Sequence, residues 1–112
     1  MERAKSTRFA HPSEAEVAAI LSYHRIAWSY EPRTFPIAWG LDGGIAESFT
    51  PDFYLPAYDL YLEVTVSKQK LVTKKHRKLR RLRLIYPFVN IKLFNRKDVE
   101  RLFKRFGVSA AS

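Results

Sequence analysis

The stretch Phe49-Thr50-Pro51-Asp52-Phe53-Tyr54-Leu55-Pro56-Ala57-Tyr58-Asp59-Leu60-Tyr61-Leu62-Glu63-Val64-Thr65-Val66 decides the fold. Phe49 to Leu55 and Leu60 to Val66 read as strands, and Pro56 to Asp59 between them have the composition of a turn. A four-residue loop sets Leu55 opposite Leu60, Tyr54 opposite Tyr61, Phe53 opposite Leu62 and Asp52 opposite Glu63. Directly opposed residues share a face, with Cβ atoms roughly 5 Å apart. Two carboxylates held that close repel unless a positive group lies between them. A hard divalent cation such as Mg²⁺, which prefers oxygen ligands, suits the position. Leu60, Leu62, Val64 and Val66 form an apolar row for the core. Tyr61, Glu63, Thr65 and Ser67 take the other face, which places Glu63 beside a cleft. The bland alternative makes Asp52 a turn residue after Pro51 and leaves Glu63 exposed on a half-buried sheet.

Working outward, residues up to Pro12 read as a mobile arm. Ser13 with Glu16 three residues later has the pattern of a capping box opening a helix, whose buried stripe is Val17, Ile20, Leu21 and His24. Ile26, Trp28 and Tyr30 alternate as in a strand that Pro32 and Pro36 limit. Leu41-Asp42-Gly43-Gly44 is a turn. Lys68 to Tyr86 has helical spacing and Pro87 stops it. Val89 to Phe94 is a short strand, and Arg96 to Phe106 a closing helix ended by Gly107. The expected order is therefore α-β-β-β-α-β-α. It describes an α/β (α+β) fold with a mixed sheet flanked by helices, in one domain over residues 13–107 with a tail at 108–112.

Charge is concentrated in one window. Lys68, Lys70, Lys74, Lys75, Arg77, Lys78, Arg80, Arg81 and Arg83 are nine basic residues with no acid among them; the rest of the chain holds eleven Lys and Arg against eleven Asp and Glu. A focused basic segment on a neutral body suits a polyanion, because each neutralised phosphate releases counterions. The plain alternative is a solvated helix face. No apolar run approaches a membrane span. The 112 residues include no cysteine, which rules out disulfides, thiolate metal sites and cysteine nucleophiles and fits a cytoplasmic protein. His11 and His76 have no partner at metal spacing, and His24 lies on the apolar face of its helix, so zinc is not expected.

Pro51-Asp52 followed by Glu63-Val64-Thr65 resembles the motif of PD-(D/E)xK nucleases, the restriction-endonuclease-like superfamily. The context Phe49-Thr50-Pro51-Asp52-Phe53-Tyr54-Leu55-Pro56 with Tyr61-Leu62-Glu63-Val64 is most like small Holliday-junction-resolvase- and restriction-type members. The likeness covers about Ser13 to Phe94, and the superfamily's α-β-β-β-α-β core agrees with the order read above. It implies a metal-dependent DNA endonuclease hydrolysing phosphodiester bonds in duplex or branched DNA, in repair or recombination. Asp52 and Glu63 would hold Mg²⁺, with Mn²⁺ as a substitute, and Glu16 of the first helix would join them. A homodimer would suit cutting of two symmetric strands.

One position departs from the motif. Its lysine is replaced by Thr65, whose hydroxyl can touch a water or a metal-bound ligand but carries no positive charge. Lys68 and Lys70 follow the strand directly and can curl back toward Glu63, with Lys68 a candidate to orient the attacking water. On the helix, Leu71, Val72, Leu79, Leu82 and Tyr86 define an apolar stripe, with Lys75 near its centre and Lys78 at its edge. A lysine on an apolar face needs a partner, so Lys75 or Lys78 is expected to reach the carboxylates, unless its stem packs on the sheet and its ammonium reaches solvent. The residues expected to track a nucleic-acid backbone are Lys68, Lys70, Lys74, Lys75, Arg77, Lys78 and Arg81. The rival expectation is a nuclease fold that has lost its lysine and only binds nucleic acid or a partner protein.

Overall fold

A computed structural model describes residues 7–66 and 69–111, the side chains at 69–72 and 105–111 excepted. The elements in chain order are α1 (Pro12–Tyr23), β1 (Ser29–Tyr30), β2 (Phe35–Trp39), β3 (Ile45–Phe49), β4 (Phe53–Leu55), a 3₁₀ turn at Pro56–Tyr58, β5 (Leu60–Val64), α2 (Gln69–Ile85), β6 (Ile91–Phe94) and α3 (Arg96–Ala111). The class is α+β, with a four-stranded mixed sheet ordered β1-β4-β5-β6 and a separate β2-β3 ribbon. Among the described residues no helix is long and apolar enough to cross a membrane.

The decisive hairpin has the expected register: Phe53 pairs with Leu62, Tyr54 with Tyr61 and Leu55 with Leu60. Asp59 adopts the left-handed conformation (φ 47°) that closes its turn, a conformation that Asp tolerates better than most residues. Its Oδ1 accepts a hydrogen bond from the Tyr54 hydroxyl at 2.8 Å. β6 then pairs with β5 in parallel, Glu63 opposite Leu93, so the ends of β5 and β6 that follow Glu63 lie at one edge of the molecule.

Two clusters cover the two faces of this sheet. On one, Leu60, Leu62 and Val64 pack with Val17, Ala18 and Leu21 of α1 and with Val99 and Phe103 of α3. On the other, Phe35, Ile37 and Phe49 of the ribbon pack with Leu79 and Leu82 of α2 and with Ile91. Glu63 therefore lies beneath α2 and the ribbon and is buried, unlike the exposed position of the bland alternative.

Several expected boundaries move. Phe49 to Leu55 is two strands, because Pro51, with no N–H to donate, falls between β3 and β4. β2 and β3 form a hairpin that the expected order lacks; Pro36 is accommodated where the register shifts between Pro36 and Ala38, a place where a missing donor costs least. The strand read from Ile26 to Glu31 shrinks to two residues, bounded by left-handed Arg25 (φ 60°) and Glu31 (φ 46°). α1 is capped by His11, whose Nδ1 accepts from Ser13 N–H at 3.0 Å, and Pro12 takes the first helical position. Ser13 is thus inside the helix, and no capping box with Glu16 forms. The packed core also reaches back to Phe9, assigned to the arm by sequence, whose ring lies 4.8 Å from Tyr30 and 6.1 Å from Phe53. α3 runs on through Gly107 to Ala111, since Gly weakens a helix interior without breaking it.

Candidate active site

The β4-β5 ladder ends at Phe53–Leu62, and the next pair exchanges bonds through side chains. Asp52 N–H donates to Glu63 Oε1 at 3.2 Å, and Val64 N–H donates to Asp52 Oδ2 at 2.8 Å. The Asp52 carbonyl accepts from Glu31 N–H at 2.7 Å, which ties this point to the end of β1. The two carboxyl groups expected to face one another are adjacent and buried, each residue 6% exposed.

The lysine in the middle of the α2 stripe reaches them. Lys75 Nζ lies 3.0 Å from Glu63 Oε2 and donates to the Val64 carbonyl at 2.6 Å. Of the two helix candidates, Lys75 is thus the ion-pair partner. Lys78 instead sits 3.9 Å from Glu47 Oε2. Both line a pocket of about 280 Å³ together with Ser48, Thr50, Glu63 and Lys74. Glu63 forms its acidic wall, and three lysines of α2 form the opposite one.

Charge follows from this packing. Burial, then the neighbouring Glu63, push the Asp52 carboxyl up to about 8, against the Val64 hydrogen bond. Burial also raises Glu63, opposed by the Lys75 charge and by a side-chain hydrogen bond from Asp52. Two buried acids with one ammonium hold one negative charge in excess, and a proton offsets it. Burial and the neighbouring carboxylate thus favour the protonated form of Asp52, while Lys75 favours the ionised form of Glu63.

Other expected residues lie elsewhere. Glu16 is exposed on the outer side of α1, 3.8 Å from Arg96 Nε, and does not join the carboxylate pair. The acid of α1 whose charge acts on Asp52 is Glu14, which accepts from the Tyr30 hydroxyl at 2.5 Å and from Ala10 N–H at 3.2 Å. Its signal was present: Glu14 continues the stripe of Val17, Ala18 and Leu21 at helical spacing, and Glu16 falls off it. The Thr65 hydroxyl donates to the Val66 carbonyl at 3.1 Å and lines a different pocket. Lys68 and the side chain of Lys70 lie outside the described residues.

The basic face of α2 is partly committed to the fold. Arg77 pairs with Glu47 at 2.9 Å and holds that carboxyl below its usual range, and Arg81 Nε donates to the Ile37 carbonyl at 2.6 Å. These two bonds dock the helix on the ribbon, while Lys74 is exposed at the pocket rim. Comparison with protein-family models, with curated proteins and with solved structures finds no match for this chain.

Proposed function

We propose that the protein is a Mg²⁺-dependent endonuclease acting on DNA, in which Lys75 of α2 takes the part that Thr65 cannot. The observation that carries this reading is the buried Asp52–Glu63 pair, of which Glu63 meets Lys75 and lines a pocket with Lys74 and Lys78. A protein that only grips phosphate gains nothing from carboxylates at the centre of its basic surface. Keeping them costs burial of charge, which selection tolerates at sites that do chemistry.

The donor set fits the metal. Mg²⁺ is commonly held by one or two carboxylates with water completing its shell, so Asp52 and Glu63 suffice, although among the described residues no third Asp, Glu or His completes a cluster with them. When bound, the cation would supply Lewis-acid stabilisation of the phosphoryl charge and a bound water of lowered pKa. The chain's residues do the rest. Asp52 would hold the cation in its deprotonated form. Lys75 keeps Glu63 ionised and fixes its orientation through Oε2. Lys74 and Lys78 draw the phosphate backbone to the rim, contacts that position a strand without reading bases. Cutting both strands of a symmetric substrate would require a second copy of the chain.

A second reading is favoured by one observation: both Glu63 oxygens are already served, Oε2 by Lys75 and Oε1 by Asp52 N–H. On that reading the trio is a structural ion pair and the protein only binds nucleic acid. Cleavage of labelled duplex and four-way-junction DNA with Mg²⁺, Mn²⁺ or EDTA separates the two. The endonuclease reading expects metal-dependent cutting that Asp52→Asn and Glu63→Gln each reduce by at least about 100-fold, within the range set by loss of a principal electrostatic contact. Binding without cutting in every metal supports the structural ion pair.

A further inference from the structure

A second pocket lies at the end of the strand that carries Glu63. Ser13 of α1, Thr65 beyond β5, and Asn95, Arg96 and Lys97 at the start of α3 line about 300 Å³. Glu63 lines the first pocket and Thr65 the second, so the two hollows flank one short piece of chain.

The lining of this hollow is suited to an anion. Two cations, Arg96 and Lys97, line it with no carboxylate, while the Thr65 hydroxyl donates to the Val66 carbonyl at 3.1 Å and Ser13 Oγ lies 2.7 Å from His11 Nδ1. The nearest acids have other engagements. Asp98 and Asn95 exchange hydrogen bonds at 3.0 and 2.8 Å, and Glu16 meets Arg96 at 3.8 Å in an exposed pair, a kind worth little in water. Lys97 is exposed and enters no ion pair among the described residues. Its charge has no structural purpose within the fold, unlike those of Arg77 and Arg81.

We infer that the hollow of Thr65, Arg96 and Lys97 holds a second backbone phosphate of the strand whose scissile phosphate sits at Asp52 and Glu63. The inference rests on the endonuclease reading. It gives the strand a path, from the lysines of α2 across the end of β5 to the start of α3, and makes Arg96 and Lys97 positioning residues.

The test is binding of a labelled duplex in EDTA, followed by anisotropy from 50 to 200 mM salt. Wild type is set beside Arg96→Gln/Lys97→Gln, Lys97→Glu alone, and Lys74→Gln/Lys78→Gln. Losing one phosphate contact is expected to make the slope of log affinity against log salt shallower by about 0.9 in the double variant, and Lys97→Glu is expected to weaken binding at 50 mM salt about tenfold. A general loss of structure would show in the melting curve and would not alter the slope in this way; Lys97→Glu changes an exposed residue and keeps the test open if the double variant is unstable. Unchanged slope and affinity in both variants, while Lys74→Gln/Lys78→Gln loses affinity, would overturn the second phosphate site and leave the endonuclease reading intact. No DNA binding by wild type would overturn both.

Discussion

Replacing Lys75 with methionine probes the trio at its most exposed member. Methionine keeps most of the apolar stem but removes the ammonium that lies 3.0 Å from Glu63 and 2.6 Å from the Val64 carbonyl. Breaking a fully buried pair by deleting one partner costs about 3–5 kcal/mol. Here the Lys75 side chain is 29% exposed and that of Glu63 is 7% exposed, so part of the interaction is already screened. Glu63 also has an escape, which is to take up a proton. From an ordinary carboxyl pKa near 4.3, that costs at most about 3.7 kcal/mol at pH 7. The two bounds give an expected loss of about 2–3 kcal/mol at pH 7, or roughly 8–15 °C in melting temperature for a domain of this size. At pH 5 the proton is nearly free and the loss should shrink to under about 1 kcal/mol. Urea unfolding at both pH values reads it out, and adding Glu63→Gln to Lys75→Met should recover most of the pH 7 loss. A loss below about 0.5 kcal/mol at pH 7, or one equal at both pH values, would refute the view that Lys75 compensates a buried carboxylate.

Two further outcomes follow from the packing around the site. Asp52, held near 8 in the fold against an ordinary 3.8, is an acid with a raised folded pKa; its stabilising contribution is complete below about pH 4 and is lost as pH rises toward 8. Wild-type stability should therefore decline across that window, by no more than about 6 kcal/mol, and Asp52→Asn should flatten the decline; a profile identical in the two proteins would contradict the assignment. Phe9→Ala should cost about 1–2 kcal/mol through loss of its ring contacts with Tyr30, Trp28 and Phe53, whereas no change in urea midpoint would mean that the segment before α1 does not belong to the core.

The parts of the fold that were legible in the sequence are those set by short-range geometry. The Pro56–Asp59 loop length and the alternation of Leu60, Leu62 and Val64 were enough to fix the β4-β5 register, and a turn of 100° per residue put Lys75 near the centre of the α2 stripe, although the choice between it and Lys78 needed the packed structure. The identity of the helix acid was not settled by a local pattern: Ser13 and Glu16 have capping-box spacing, but Pro12 fits the first helical position and His11 supplies the cap, so the helix starts earlier and Glu14 takes the inward direction. The β2-β3 ribbon was hidden because Pro36 and the half-exposed run Ala46-Glu47-Ser48 carry no strand pattern. That ribbon is stabilised by tertiary contact, with Phe35 and Ile37 against Leu79 and Leu82, and its presence is why the Glu63 face is covered. Where Thr65 points depends on how β5 ends, which no spacing rule states.

The most direct measurement is the number of protons released when Mn²⁺ binds, counted in weakly buffered solution at pH 7 and at pH 9.5. If the cation replaces the proton held between Asp52 and Glu63, wild type should release close to one proton per metal at pH 7 and few at pH 9.5. Asp52→Asn should bind metal far more weakly and release almost none. Binding without proton release at pH 7, or equal release by Asp52→Asn, would contradict the account and return the buried pair to a purely structural role.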